Sequence, residues 1–132
     1  MPEGIAVPIT SHTDPSQALT TLTAEGDITF EDIIAVVKNF INDPPEKNIL
    51  WDFSEAYPVD PFDAEDMDKI ATLAKKNLKL RSQTDGKTAY VATSDFVFGI
   101  TRMYTTYLEL QQPTHEIQVF RSLEDARQWL AE

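Results

Sequence analysis

The 132-residue chain has no cysteine, only four glycines and two histidines, and half as many basic as acidic residues. Without cysteine, thiol catalysis, disulfide bonds, iron–sulfur clusters and cysteine-ligated zinc are excluded. The four glycines are too scattered to form a phosphate-binding loop, and neither the dinucleotide-binding motif nor the P-loop motif is present. The net charge of −11 argues against nucleic acid and anionic membrane surfaces as partners, because both are bound mainly by cations.

Long hydrophobic runs are also absent. The apolar stretch at residues 33–37 is among the longest in the chain, and it is far shorter than the ~20 residues that a membrane-spanning helix needs. The first residues lack the basic start and the apolar core of a signal peptide. We therefore expect a cytoplasmic protein without a membrane span.

The acidic excess lies in the first part of the chain. Residues 1–59 contain ten acidic and two basic residues, whereas residues 60–132 contain twelve acidic and nine basic residues. This distribution indicates either a solvated face that keeps the protein soluble or a docking surface for a basic protein partner.

The residue types that often carry catalysis or bind metals form no familiar site. His12 and His115 are about a hundred residues apart, and neither has a histidine or carboxylate one helical turn away. The densest acidic cluster lacks the spacing of a calcium-binding loop and fits the electrostatics of a helix start. This cluster comprises Asp60, Asp63, Glu65, Asp66 and Asp68. We predict no catalytic residue, no metal ligand and no cofactor.

Hydrophobic periodicity predicts an α/β fold with the element order ββαβαβαβα. Two strands, near residues 5–9 and 18–25, form a hairpin in which Pro8 indicates an edge position. A capping box formed by Thr29 and Asp32 starts the first helix, and the apolar run at 49–53 is typical of a buried central strand. The remaining elements are a helix of about twenty residues after residue 61, a strand at 87–93, a helix capped by Ser94 or Asp95, a strand at 116–121 and a helix capped by Ser122.

Strands that alternate with helices indicate a mostly parallel sheet, and the hairpin makes this sheet mixed. We predict one domain over residues 1–132 with four or five strands and about four helices. The hairpin occupies residues 4–25, and the α/β remainder occupies residues 26–132.

One predicted helix contains an unusual glycine. Gly99 lies inside it, where glycine costs ~1 kcal/mol relative to alanine. The glycine indicates either close packing of the helix on the sheet or room for a ligand or for the backbone of a partner. Arg102, one turn later among Phe98, Met103 and Tyr104, is either a clamp for an anion or a member of a structural salt bridge.

Several motifs, taken in order, resemble the SpoIIAA-like branch of the STAS domains (sulfate transporter and anti-sigma-factor antagonist). The resemblance covers residues 17–131 and is carried by Gly26-Asp27-Ile28-Thr29, Leu50-Trp51-Asp52-Phe53, residues 86–91, residues 98–103, Val119-Phe120-Arg121-Ser122, Glu124-Asp125-Ala126 and Trp129-Leu130. It implies a four- or five-stranded mixed sheet with helices packed mainly on one side. It also implies a small cytoplasmic bacterial protein that acts as an interaction module, in a family some of whose members bind nucleotides or small ligands.

Phosphorylation control is not transferred with this resemblance. The antagonists of the family have a phosphorylatable serine, in an Asp-Ser-Ser pattern, where the helix after the central strand begins. Aligned on Asp52-Phe53-Ser54, that pattern falls on Asp60-Pro61-Phe62, which offers no acceptor hydroxyl. Ser54 lies nearby, at the predicted end of the strand.

The first functional hypothesis is a non-enzymatic interaction or regulatory module that binds a protein partner. Its candidate surface is the loop at residues 54–62 with the start of the following helix, because exposed aromatic rings beside acids suit a protein interface. The candidate residues are Ser54, Tyr57, Asp60 and Phe62.

Two further hypotheses remain open. The second is a binder of a small amphipathic ligand, such as a fatty acid or isoprenoid, in keeping with lipid carriers linked to related families. Arg102 would hold the head group, and the tail would contact Phe98, Met103 and Tyr107. The third is an enzyme whose base is His115 or the Asp60/Asp63 pair. A homodimer is compatible with each of the three.

Overall fold

Five strands form one mixed sheet, whose spatial order follows the chain order. The computed structural model describes residues 8–43, 45–58, 65–66, 68–70, 72–73, 86–110 and 116–132. The strands are β1 (Ile9–Asp14), β2 (Leu19–Ile28), β3 (Asn48–Pro58), β4 (Lys87–Val91) and β5 (Glu116–Phe120). β1 pairs antiparallel with β2, and β2 to β5 are parallel. The mixed sheet expected from the sequence is therefore confirmed.

Within the described residues, three helices connect the parallel strands, and a fourth follows β5. They are α1 (Phe30–Asn42), α2 (the helical residues 65–66, 68–70 and 72–73), α3 (Asp95–Leu110) and α4 (Leu123–Leu130). The Thr29 hydroxyl accepts a hydrogen bond from the Asp32 amide, and the Asp32 carboxylate accepts one from the Thr29 amide, so the predicted capping box is confirmed. Ser94 caps α3, because its hydroxyl accepts a hydrogen bond from the Val97 amide.

Two hydrophobic cores lie on opposite faces of the sheet. The first core contains Trp51, Phe53 and Tyr90 from the sheet and receives side chains from α1, α2 and α3. The second core is smaller, and among the described helices only α4 contributes to it. The expectation that helices pack mainly on one side is thus met. Leu50 and Trp51, neighbours in β3, point into different cores because successive side chains of a strand alternate between its faces.

Two strands are longer than their sequence patterns predict. β2 continues through Gly26 to Ile28, and β3 continues past Phe53 to Pro58. These extensions pair with each other, so polar residues that read as loop become part of the ladder. Gly26 has a φ of +74°, in the left-handed region that glycine adopts without steric cost, and this allows β2 to continue through it.

The hairpin also differs in detail from the expectation. β1 begins at Ile9, directly after Pro8, and the predicted strand residues Ile5 and Val7 lie outside the described residues. The turn at Asp14 is confirmed as a short 3₁₀ helix at Pro15–Gln17. A hydrogen bond from the Ser16 hydroxyl lowers the pKa of Asp14.

Candidate functional site

The carboxyl ends of the four parallel strands meet at one edge of the sheet, which is where ligands of such sheets commonly bind. Among the strands that end at this edge, β3 is the longest, with 11 residues. Its last pair with β4 joins Asp52 to Val91, whereas its pairing with β2 continues to Pro58. Residues 53–58, which we call the β3 projection, therefore extend beyond the end of β4.

A β-bulge determines which face of the sheet the side chains of the β3 projection lie on. Thr23 pairs with Asp52 and Glu25 pairs with Glu55, so β3 has one extra residue in this interval. Such an insertion moves the following side chains to the opposite face of the sheet. Tyr57, which by strict alternation would share the face of Trp51, is consequently 63% exposed.

Asp52 stabilises the bulge through its carboxylate. Its Oδ1 atom accepts hydrogen bonds from the Ser54 amide at 3.0 Å and from the Ser54 hydroxyl at 2.5 Å. The Ser54 carbonyl in turn accepts a hydrogen bond from the Thr93 hydroxyl at 3.3 Å. The bulge is thereby tied to the segment that follows β4.

We expect Asp52→Ala to lower the free energy of unfolding by about 1–2 kcal/mol, because two partly buried hydrogen bonds are lost. Urea unfolding measures this cost, and hydrogen exchange at the Glu55 and Tyr57 amides reports whether the bulge loosens. Asp14→Ala is the matched control, since Asp14 makes the same pair of hydrogen bonds to Ser16 in an exposed turn. Equal costs in the two variants, with unchanged exchange at Tyr57, would contradict the role given to Asp52.

Arg121 joins the end of β5 to the start of α3. Its Nη1 atom donates hydrogen bonds to Asp95 Oδ1 at 2.8 Å and to the Thr93 carbonyl at 3.4 Å. Its guanidinium carbon lies 4.0 Å from the centre of the Phe98 ring, a cation–π geometry. The ion pair is largely solvent-exposed, so it contributes little to the stability of the fold.

An apolar cavity lies beneath this edge, within the first core. Its lining comprises Ile28, Ile33, Trp51, Phe53, Pro58, Ile70, Tyr90, Val97, Ile100, Thr101 and Tyr104. Burial, together with the neighbouring Tyr90, raises the pKa of Tyr104 well above its usual value. The cavity volume of about 40 Å³ is close to that of one water molecule and far below the roughly 300–1,000 Å³ of a ligand pocket.

The residues predicted for a protein interface are only partly described. Ser54 is half-buried inside β3, so the expectation that it lies at the strand end is wrong. The error arises because the strand continues as a ladder with β2 after the apolar run has ended. Tyr57 is exposed, as expected, while Asp60 and Phe62 lie outside the described residues.

The residues predicted for an amphipathic ligand lie on different sides of α3. Phe98 is half-buried beneath Arg121, and Tyr107 packs against the first core. Arg102 and Met103 are exposed, and Arg102 forms no ion pair with any described residue. None of the four lines the apolar cavity, so the described residues do not assemble the site that this hypothesis requires. Ligand binding by these residues stays a prediction.

Sequence reasoning missed the contacts among Thr93, Asp95 and Arg121. Their signal was weak: Arg121 follows a predicted strand, and Asp95 follows the neighbouring one. Only the order of strands in the sheet shows that these positions meet at one edge.

Of the two histidines, only His12 is among the described residues, and it does not enter this site. His12 is exposed on β1, and His115 lies outside the described residues. Among the described side chains, no three of the types that ligate metals lie close enough to hold an ion. Nor does any described helix have the length and hydropathy needed to cross a membrane.

The architecture is the SpoIIAA-like α/β fold. A crystal structure of an uncharacterised protein of the DUF3478 family from Shewanella loihica PV-4, itself assigned a SpoIIAA-like fold, matches with a TM-score of 0.57 and 20% identity over 92% of this chain and 91% of that one. The anti-sigma factor antagonist SpoIIAA in its unphosphorylated form matches with a TM-score of 0.52 and 12% identity over 92% of this chain and 96% of that one. The phosphorylated form, described as a Bacillus cell fate determinant, gives 0.52 and 13% over 92% and 97%.

These structural matches establish the fold, and the resemblance noted in the sequence is confirmed at that level. No family model and no curated protein matches the sequence.

Proposed function

We propose that this chain is a non-enzymatic interaction module that binds a basic protein partner through the β3 projection and the adjoining end of β2. The observation that carries the proposal is an acidic surface around an exposed aromatic ring. Glu25 pairs with Glu55 across the two strands, and Asp27 pairs with Tyr57. We call these four residues the acidic edge, and all four are exposed. We include in this proposal the cytoplasmic location that the sequence predicts.

The charges of the acidic edge are uncompensated within the described structure. Glu25 and Glu55 are directly opposite each other, and like charges in that arrangement destabilise a sheet. Neither glutamate, nor Asp27, forms an ion pair with a described residue. A cationic side chain of a partner placed between the strands would relieve this repulsion, and Tyr57 would supply the large, rigid contact typical of interface hot spots.

The structural comparison adds support of a different kind. SpoIIAA, which has the same fold, is an anti-sigma factor antagonist. The anti-sigma factor that it antagonises is itself a protein. Three of the ten acidic residues at positions 1–59 also lie together at the ends of β2 and β3, which supports the proposal of a basic partner. Electrostatic attraction of this sort accelerates association with a basic partner.

A photo-activated cross-linking residue at position 57 tests the surface in the native host. We expect a discrete cross-linked product with a basic protein, which mass spectrometry then identifies. The same residue at position 128 is the control, because Gln128 is exposed on α4. Its neighbour Trp129 accepts a hydrogen bond from Lys87 at the start of β4, which is the opposite end of the sheet from the acidic edge. No product from position 57, or the same products from both positions, would refute the proposal.

Binding of the identified protein then provides a quantitative prediction. Tyr57→Ala is expected to weaken binding by about tenfold to a hundredfold, as for an interface hot spot. Phe96→Ala removes a ring of similar exposure from α3 and is expected to leave the affinity unchanged. Glu55→Lys is expected to weaken binding while slightly stabilising the fold, because it replaces the repulsion with Glu25 by an attraction. Loss of both binding and stability would indicate misfolding, and unchanged binding in Tyr57→Ala would overturn the assignment.

A further inference from the structure

One face of α3 is solvent-exposed and patterned for contact with another helix. Phe96 is 61% exposed and Met103 is 44% exposed. Gly99, which lies between them, and Thr106, which follows Met103, are also exposed. The four positions alternate in steps of three and four residues, which is the spacing of the contact positions in a coiled coil. We call them the α3 seam.

Gly99 has no packing role within the described chain. A Cβ atom added at this position would meet no described atom within 4 Å, so close packing of α3 on the sheet does not account for the glycine. Glycine inside a helix nevertheless costs roughly 0.5–1 kcal/mol relative to alanine. Among the described residues, the other explanation from the sequence, room for a ligand or for the backbone of a partner, is therefore the one that remains. The exposed ring of Phe96 one turn away has the size to fill such a gap.

We propose that the α3 seam is a self-association surface, on which two copies of this chain pair antiparallel about a two-fold axis. In a two-fold contact each residue meets its counterpart reciprocally. When the helices cross between positions 95 and 102, Phe96 of each copy lies over Gly99 of the other. The ring of one copy thus occupies the space that the missing side chain of the other leaves.

Charge complementarity selects this register and a second copy as the occupant. Asp95 and Arg102 flank the seam, seven residues apart on one side of it. In the proposed register each Arg102 faces Asp95 of the second copy, which forms two opposite-charge pairs. An antiparallel register displaced by one heptad would instead place Arg102 against Arg102 and Asp95 against Glu109. Of these two registers, only the first is complementary in charge. In it the seam positions that meet are Phe96 and Gly99, whereas Met103 and Thr106 lie beyond the start of the second copy's α3.

The size of the contact sets its strength. Two turns of one helix form a patch smaller than the roughly 1,200–2,000 Å² of a stable interface. We therefore expect a dimer in reversible equilibrium with the monomer. Each copy has a net charge of −11, so association is to be measured at physiological ionic strength, where charges beyond ~8 Å are screened.

Sedimentation equilibrium of the purified full chain across a wide concentration range tests the proposal. We expect a monomer–dimer equilibrium that Gly99→Gln weakens at least about tenfold, because the new side chain fills the space that Phe96 needs. The free chain accommodates this substitution, so thermal unfolding is expected at an equal or higher temperature. Arg127→Glu on α4 and Arg102→Glu on α3 introduce the same charge change, and only the second is expected to weaken the dimer.

A charge exchange distinguishes this arrangement from any other use of the surface. Arg102→Glu and Asp95→Arg are each expected to weaken self-association, and an equimolar mixture is expected to restore it as a heterodimer with both charge pairs opposite again. Asp95 also bonds Arg121, so Arg121→Gln serves as the control that removes that bond but keeps the Asp95 charge. A chain that stays monomeric overturns the proposal, even if the face takes up a different protein. So does a dimer that Gly99→Gln leaves intact, or a mixture that fails to associate.

Discussion

Trp51→Ala is expected to lower the free energy of unfolding by about 4 kcal/mol, because it removes a large side chain from a core that cannot refill the space. Trp51 is 5% exposed. Its ring centre lies 5.8 Å from that of Phe53 and 6.3 Å from those of Phe40 and Tyr90. The substitution thus breaks contacts between α1, β3 and β4 together. A loss of this size is a large share of the roughly 5–15 kcal/mol that keeps a domain folded.

Urea unfolding followed by circular dichroism measures this loss without relying on tryptophan fluorescence. Trp129→Ala is the matched control, because it removes the other tryptophan from the edge of the second core. Trp129 is half-buried, and its ring centre lies 5.5 Å from that of Phe120. The Lys87 ammonium group lies over the face of its ring. The control is expected to cost clearly less than Trp51→Ala. A Trp129→Ala variant as unstable as Trp51→Ala would show that the first core is not the main source of stability.

Local signals in the sequence were sufficient for most of the fold. The capping box of Thr29 and Asp32 and the turn at Asp14 depend on neighbouring residues, so the sequence alone identifies them. The extension of β3 to Pro58 depends on pairing with β2, about thirty residues earlier in the chain. No local pattern records such a pairing, and Glu55 and Tyr57 read as loop until the partner strand is known.

The candidate site was accessible to the sequence only in part. Tyr57 could be identified as an exposed aromatic residue near acids. The opposition of Glu25 and Glu55 could not, because it is produced by the bulge after Asp52, which shifts the register by one residue. The same shift decides whether Tyr57 faces the core or solvent, so the chemistry of this edge depends on one inserted residue.

The bulge also divides β3 into a buried part and a solvent-exposed part. Before it, alternating side chains such as Leu50 and Trp51 hold the two cores together. After it, Glu55 and Tyr57 face solvent, where we propose that they contact a partner. Variants in the first part are therefore expected to change stability, and surface variants in the second part to change the proposed binding.

Leu50→Ala is expected to lower the free energy of unfolding by about 3 kcal/mol, with the effect concentrated on the opposite face of the sheet from Trp51. Leu50 is fully buried and packs with Ala89, Val91, Ala126 and Leu130. The last two belong to α4, which has eight residues. A helix this short is not stable in isolation, so α4 persists because its apolar face is docked on Leu50 and its neighbours.

Native-state hydrogen exchange is the measurement that separates this local effect from a global one. In Leu50→Ala the amides of α4 are expected to open at a lower free energy than those of β3, whereas α1 and α3 keep their protection relative to β3. Leu50→Ile is the control, because it nearly conserves volume and is expected to cost less than about 1.5 kcal/mol. If the α4 amides in Leu50→Ala opened only together with β3, then α4 would not depend on this core separately from the rest of the sheet. The division into two cores with different helices would then describe the packing but not the energetics of the fold.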